Sequence, residues 1–349
     1  MTKKIIKSYD LEEISGFFRQ LGEKEYRARQ LFSWMYERNI ESFDEITTYT
    51  KKLRKDLGDM FVLSPLTNID HKVSKIDGTE KFLFETQDNY YIESVLLKSD
   101  GNEEGRLTVC ISSQVGCAMG CKFCHTGMQG YTRNLEVGEI IDQLNQVRRL
   151  SGLKNNNIVF MGMGEPFQNY DNVLKACDII NYSFGFHIST RKITISTCGI
   201  LPGIERFIDE KRPYNLALSL NDTDFEKRKN YMPIEKKYSF KDIADLLHRK
   251  FPVSRNRLTI EYVMRKDNIS NEDAKRLKKM FKYSRIKLNL IPLNTGDHGI
   301  DVPTEEEINH FLDALQIMNV PVSIRKSLGS DIDGACGQLS GRKKRNDEK

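Results

Sequence analysis

The 349-residue chain holds little of what breaks or disorders a backbone, with 9 Pro and 23 Gly. Hydrophobic residues make up 39% and charged residues 30%, which excludes collagen-like, low-complexity and disordered classes. No long apolar run exists; the stretch around Ile158 to Met163 falls far short of the ~20 residues that span a bilayer. The opening MTKKIIKSYDLEEIS reaches acidic residues before any apolar segment forms. The expectation is a cytoplasmic, soluble protein with no membrane insertion. A nucleotide-binding Gly fingerprint, a second CxxC, an HxxxH pair and repeats at solenoid periods are also missing.

Charge of one sign is scarce too. Lys and Arg number 54 against 49 Asp and Glu, a net +5, and the tail Arg342 to Lys349 alone, with five basic and two acidic residues, supplies +3 of it. Charge alone therefore does not announce a nucleic-acid binder. The seven cysteines, at 110, 117, 121, 124, 177, 198 and 336, are an odd number and make a poor disulfide framework. Reduced thiols engaged in metal or redox chemistry fit better.

The chain reads as an α/β protein in parts. Residues 1–68 form a small helical unit, in which Leu11, Ile14, Phe17, Phe18 and Leu21, then Leu31, Trp34 and Met35, then Leu53 and Leu57 recur on a helical period. Lys51, Lys52, Arg54 and Lys55 are left outside that stripe, as a solvated face or as a surface for phosphates. Residues 69–105 read as a β-meander with turns at Asp77-Gly78 and Asp88-Asn89. In it Glu93 shares a strand face with Tyr91 and Val95; an edge-strand carboxylate facing water is the first reading, a buried functional acid the second.

Residues 106–328 alternate strands and helices, which predicts a parallel sheet of βα units, an open doubly wound sheet or a complete or partial barrel. Strands are expected at 107–112, 157–161, 192–196, 215–219, 258–263, 287–291 and 321–325, and helices at 137–150, 169–181, 240–250, 272–283 and 305–318. Residues 329–349 form a terminal loop and basic tail. Ligands in such folds sit beyond the carboxyl ends of the strands.

The loop after the first of these strands reads Cys117-Ala-Met-Gly-Cys121-Lys-Phe-Cys124. Three thiols make a poor closed zinc site, which takes four protein ligands, and His125 as the fourth would strain the loop beside Cys124. Three cysteines can instead hold three irons of a 4Fe-4S cube and leave the fourth open to a small molecule.

This motif resembles the signature of the radical S-adenosylmethionine (SAM) superfamily. The segments around it, Ser112-Ser-Gln-Val-Gly-Cys117 and Gln129-Gly-Tyr-Thr-Arg133-Asn-Leu, resemble the RlmN family more narrowly. So do Met161-Gly-Met-Gly-Glu165-Pro, Thr259-Ile-Glu-Tyr-Val-Met264, Asn289-Leu-Ile-Pro, Asp331-Ile-Asp-Gly-Ala-Cys336-Gly-Gln-Leu and the N-terminal Leu21-Gly-Glu-Lys-Glu-Tyr-Arg-Ala-Arg-Gln. The resemblance implies a partial (β/α)6-type TIM barrel and methylation of C2 of an adenosine in 23S rRNA (position 2503) and, as in some members of the family, in tRNA (position 37). It implies one 4Fe-4S cluster on Cys117, Cys121 and Cys124, and two SAM molecules per turnover. Cys336 would carry the methyl group, Cys110 would resolve the adduct and end in a disulfide, and Glu93 would accept the C2 proton.

By the same resemblance SAM would meet Gly164, Glu165, Ser196, Ser219, Leu220, Asn221 and Asn294. An electron donor such as flavodoxin or ferredoxin and a monomeric state are expected. The N-terminal unit would bind RNA, with Arg27, Arg29, Lys51, Lys52, Arg54, Lys55 and the tail Arg342-Lys-Lys-Arg345 as candidates for backbone contacts. Three departures stand out: Asn221 where the family usually has His, His125 where a small residue follows the last motif cysteine, and a longer charged loop from Lys98 to Arg106. The Cfr family, which methylates C8 of the same adenosine, is the alternative; Pro166 and the Gln129 to Leu135 run resemble the C2 enzymes. Gly334, Ala335 and Gly337 predict a mobile, uncrowded loop around Cys336. Cys177 and Cys198 match no motif and read as structural.

Overall fold

The computed structural model describes residues 3–98, 105–251, 258–281, 286–294, 299–317 and 322–341. The basic tail 342–345 and part of the charged loop 98–106 lie outside them. Among the described residues no helix is long and apolar enough to cross a membrane.

A short parallel pair, β1 (Lys4–Ile5) and β2 (Phe61–Val62), brackets helices α1 (Leu11–Gln20), α2 (Tyr26–Tyr36) and α3 (Lys51–Met60). Asp10 starts α1 because its carboxylate accepts from the Glu13 N–H while Glu13 accepts from the Asp10 N–H, a reciprocal cap. Ile14 and Phe18 lie one turn apart and are buried; in α3, Leu53 and Leu57 point inward and Lys51, Lys52 and Lys55 outward. The buried cluster runs without a break from these helices into the main sheet. A buried Lys7–Asp142 ion pair, a Gly138 N–H donating to Ser8 Oγ at 2.9 Å and a Gln146 amide donating to the Leu66 carbonyl at 3.0 Å fasten the N-terminal segment to helix α5 (Val137–Ser151).

Strands β3 (Thr67–Val73), β4 (Glu80–Glu85) and β5 (Tyr91–Lys98) form the expected antiparallel meander, and β5 pairs antiparallel with β6 (Leu107–Cys110). After β6 comes a hairpin of β7 (Gln114–Cys117) and β8 (Gly130–Asn134), with the thiol loop and helix α4 (His125–Gln129) between its strands. Alternation follows: α5, β9 (Asn157–Phe160), α6 (Tyr170–Asn181), β10 (Ile193–Thr197), α7 (Leu201–Asp209), β11 (Asn215–Ser219), α8 (Phe225–Tyr231), α9 (Phe240–Lys250), β12 (Leu258–Met264), α10 (Asn271–Phe281), β13 (Ile286–Pro292), α11 (Glu305–Ile317) and β14 (Val322–Ile324).

All but the two small pairs join one ten-stranded sheet, in the order β14-β13-β12-β11-β10-β9-β6-β5-β4-β3. From β6 to β14 every pairing is parallel, as helical crossovers require, and the strands are apolar because helices cover them. This is the partial barrel, with the meander continuing its sheet.

Helix α7 was not among the expected helices; it opens Leu201-Pro-Gly, and proline suits the first helical turn, where its missing N–H has no partner to lose. Glu93 is not on an edge: β5 lies between β4 and β6, and Glu93 is 2% exposed.

Candidate active site at the strand ends

Because all seven parallel strands point the same way, their carboxyl ends gather the loops carrying the motifs. Cys117 and Cys121 are buried and Cys124 half-buried, set among Met119, Cys198, Met232, Ile234 and Phe123. Burial in this sulfur-rich apolar lining pushes the Cys117 thiol up to about 12 and raises Cys121 and Cys124 as well. Among the described residues no group of three or more His, Cys, Asp and Glu side chains is set to hold a single metal ion. Ligands to three corners of a cube stand further apart than ligands to one ion, so the donor set of three thiols without a fourth partner fits a 4Fe-4S cluster and not a closed zinc site.

Beside Cys124 opens a cavity of about 100 Å³, lined among others by Phe123, Met161, Gly162, Asn294 and Cys336. Cys336 is solvent-exposed at its rim, yet protein mass around it and the nearby Glu261 push its thiol up to about 11, against the opposing pull of Arg325. Cys110, at the end of β6, is buried and pushed up to about 12. Arg325 draws it down and Cys336 raises it further, so both thiols share one electrostatic neighbourhood.

The Cys336 loop is pinned, contrary to the mobile and uncrowded loop expected. His125 N–H donates to the Gly337 carbonyl at 2.8 Å, Thr126 Oγ1 to the Leu339 carbonyl at 2.6 Å and Asn294 Nδ2 to the Cys336 carbonyl at 2.9 Å. Gly337 has φ +83°, and a Cβ there would lie 2.9 Å from the Phe123 carbonyl oxygen, so its glycine serves a close approach and not looseness.

The residues expected to meet SAM line the same strand ends. Gly164 has φ +104°, and a Cβ there would fall 2.6 Å from Gln114 Cβ. Glu165 is buried and accepts from the Phe167 N–H at 2.9 Å and the Cys198 N–H at 2.8 Å. Ser196 Oγ donates to Glu261 Oε2 at 2.9 Å. The carbonyls of Ser219 and Leu220 accept from the buried Arg228, which also holds the Cys198 carbonyl and pairs with Glu235. Asn221 adopts φ +58°, a left-handed conformation that asparagine tolerates, and its side chain is taken up by the Val263 N–H at 3.0 Å and Met232 Sδ at 3.4 Å.

Sequence reasoning missed Glu261, Arg228 and Arg325. Glu261 is buried in a central strand with Oε1 lacking a partner; a carboxylate inside an otherwise apolar strand was the available signal. Of the RNA candidates, Arg27 is committed to Glu23 at 2.6 Å and to the Tyr26 and Tyr49 rings, and Arg54 donates to the Asp44 carbonyl at 2.6 Å. Arg29, Lys51, Lys52 and Lys55 stay exposed.

Comparison with known proteins completes the picture. Residues 6–63 match the family model "Ribosomal RNA large subunit methyltransferase N-terminal domain", and residues 111–281 match "Radical SAM superfamily". The probable dual-specificity RNA methyltransferase RlmN of Lachnospira eligens is 41% identical over 337 residues, covering 96% of this chain and 95% of that one. The chain belongs to the RlmN family. The RlmN of Leptospira interrogans is 40% identical over 343 residues, covering 98% and 97%. A crystal structure of a radical SAM methyltransferase from Sphaerobacter thermophilus superposes with a TM-score of 0.91 at 36% identity, covering 97% of this chain and 100% of the other. Membership of the radical SAM superfamily implies a 4Fe-4S cluster and SAM. In this RlmN-family chain the three thiols of the loop after β7 supply a donor set that such a cluster would take.

Proposed function

We propose that this protein methylates C2 of an adenosine in 23S rRNA (position 2503) and in tRNA (position 37), through a methylated Cys336 and a covalent RNA adduct. The observation that carries this reading is that Cys336 lines one cavity with Cys124 of the thiol loop, with the buried Cys110 within its electrostatic reach. C2 of adenine is an electron-poor aromatic carbon and cannot attack a methyl group as a nucleophile would. Cys117, Cys121 and Cys124 would hold the 4Fe-4S cluster, which together with SAM would supply the one-electron radical chemistry that makes carbon addition to C2 accessible.

The chain's residues do the rest. Gly164, Glu165, Ser196, Ser219, Leu220, Asn221 and Asn294 orient SAM. Cys336 carries the one-carbon unit to the base, and Glu93 takes the C2 proton. Cys110, as thiolate, attacks the Cys336 sulfur; the new S–S bond forms as the carbon–sulfur bond to the product breaks, the released carbon keeps that electron pair and takes a proton to become the methyl group, and an external two-electron, two-proton reductant restores both thiols. Burial opposes ionisation of Cys110, and Arg325 is the cation that offsets it. Residues 1–68 serve as the accessory RNA-binding unit, with residues 329–349 supplying Cys336.

Mass spectrometry of nucleosides from treated RNA tests the reading. We expect 2-methyladenosine; 8-methyladenosine as the sole product would overturn it. Cys336→Ala should abolish methylation and Cys110→Ala should accumulate protein–RNA adduct, and normal turnover in either variant would remove its assigned role.

A further inference from the structure

We infer that Lys81 is a positioning residue that clamps the Cys336 loop onto the meander, and that in the RNA-free protein this clamp occupies the Glu93 carboxylate. The inference rests on the roles of Glu93 and Cys336 proposed above and adds what controls them.

The geometry is a chain of charge-assisted contacts. Lys81, on β4, is 9% exposed, and its ammonium lies 3.1 Å from Glu93 Oε1 across to β5. The same ammonium donates to the Asp333 carbonyl at 3.2 Å, three residues before Cys336. Glu93 Oε2 accepts from the N–H groups of Ser340 at 2.7 Å and Gly341 at 3.0 Å, just after the loop. One Lys–Glu pair therefore grips both ends of the segment that presents Cys336. The meander adds two outer ties: Asp77 Oδ2 accepts from the Gly329 N–H at 2.8 Å, and Asp331 Oδ2 accepts from the Lys75 N–H at 3.2 Å.

The lysine and two amides take three of the carboxylate's about four acceptor positions, and both amides cover Oε2. Glu93 can reach a C–H bond of the base only when residues 340–341 let go. Closing the loop and exposing the base are thus mutually exclusive, and the arriving adenosine is what would separate them. Lys81 keeps its contact to Glu93 in either state, holding the carboxylate in place when the amides leave.

Hydrogen exchange of the full-length protein, read by mass spectrometry at peptides covering 329–341, tests this. Without RNA, Lys81→Met should speed exchange at Ser340 and Gly341 by about tenfold or more, the size expected from losing about 1.4 kcal/mol of charge-assisted bonding. Lys81→Arg should restore protection, and iodoacetamide labelling of Cys336 should rise with exchange in the Met variant only. Where Lys81→Met fails to fold, Asp77→Ala loosens the far end instead, and faster exchange at Gly329 alone is expected. Addition of a hairpin RNA carrying the target adenosine to wild-type protein should deprotect Ser340 and Gly341. Exchange within twofold of wild type in Lys81→Met, or unchanged protection on RNA binding, would overturn the inference. The RNA-free arm requires no chemistry, so it stands or falls separately from the methylated product that tests the function.

Discussion

Replacing Gly164 by alanine offers a sharp test of how the strand ends proposed to face SAM are built. The new Cβ would lie 2.6 Å from Gln114 Cβ, 2.8 Å from its Cγ and 2.8 Å from its backbone N, and φ at this residue is +104°. A non-glycine residue held in such a conformation costs about 1–3 kcal/mol, and forcing an extra methyl into packed surroundings costs about 1–3 kcal/mol more. The expected loss is about 2–6 kcal/mol of unfolding free energy. Gly152 is the matched control, since its φ is +71° and nothing lies within 4 Å of a Cβ built there. Alanine at 152 should cost only the left-handed penalty, about 1–2 kcal/mol. Gln114 cannot retreat freely, because its Oε1 accepts from the Glu165 N–H at 2.8 Å and its Nε2 donates to Asn134 Oδ1 at 2.8 Å. Equilibrium denaturation should separate the two variants, and equilibrium dialysis should show SAM affinity falling at least about tenfold, the equivalent of about 1.4 kcal/mol, for Gly164→Ala alone. If the two alanines behave alike in both assays, crowding against Gln114 does not shape this site.

Two further expectations concern the scaffold. Lys7→Met leaves Asp142 buried without its cation and should cost about 3–5 kcal/mol in denaturant unfolding, with Lys7→Met/Asp142→Leu recovering most of it; equal stability of the single variant and wild type would refute the pair's importance. The guanidinium of Arg133 beside Asp88, at 2.6 Å, holds that carboxyl down to about 2. Because the folded value is depressed, the contribution is complete above the ordinary carboxylate value of about 4 and is lost as pH falls through about 2. Acid unfolding curves should therefore show a loss in that window that Asp88→Asn removes, and an unchanged curve would discount the pair.

Much of the fold was readable because its signals are local. The strand at 215–219 and the helix at 240–250 carry their own periodicity and end at the predicted residues. The thiol spacing likewise reports its chemistry without tertiary help. What escaped depends on partners remote in the chain. Glu93 looked like an edge carboxylate because nothing nearby shows that β6 covers it, and its lysine and amides come from β4 and from residues 340–341. Arg228 is charged and sits on a polar seven-residue helix, yet it is wholly buried because three strand-end carbonyls need a donor. Arg27 and Arg54, read as free for phosphate, were taken by neighbours that periodicity does not weigh. Cys198, without a motif, proved to lie against Cys117 and Cys121.

The pairing of β5 with β6 has a consequence for the connection between them. Val95 stands opposite Cys110, and Glu93 is the next residue along on the same face, with its carbonyl held by Ser112 Oγ at 2.6 Å. The spacing of Glu93 and Cys110 is fixed by rungs of a main-chain ladder. The connection between the strands, Lys98 to Arg106, therefore bears none of it. A change of length there, like slack in a rope beyond a splice, need move neither group.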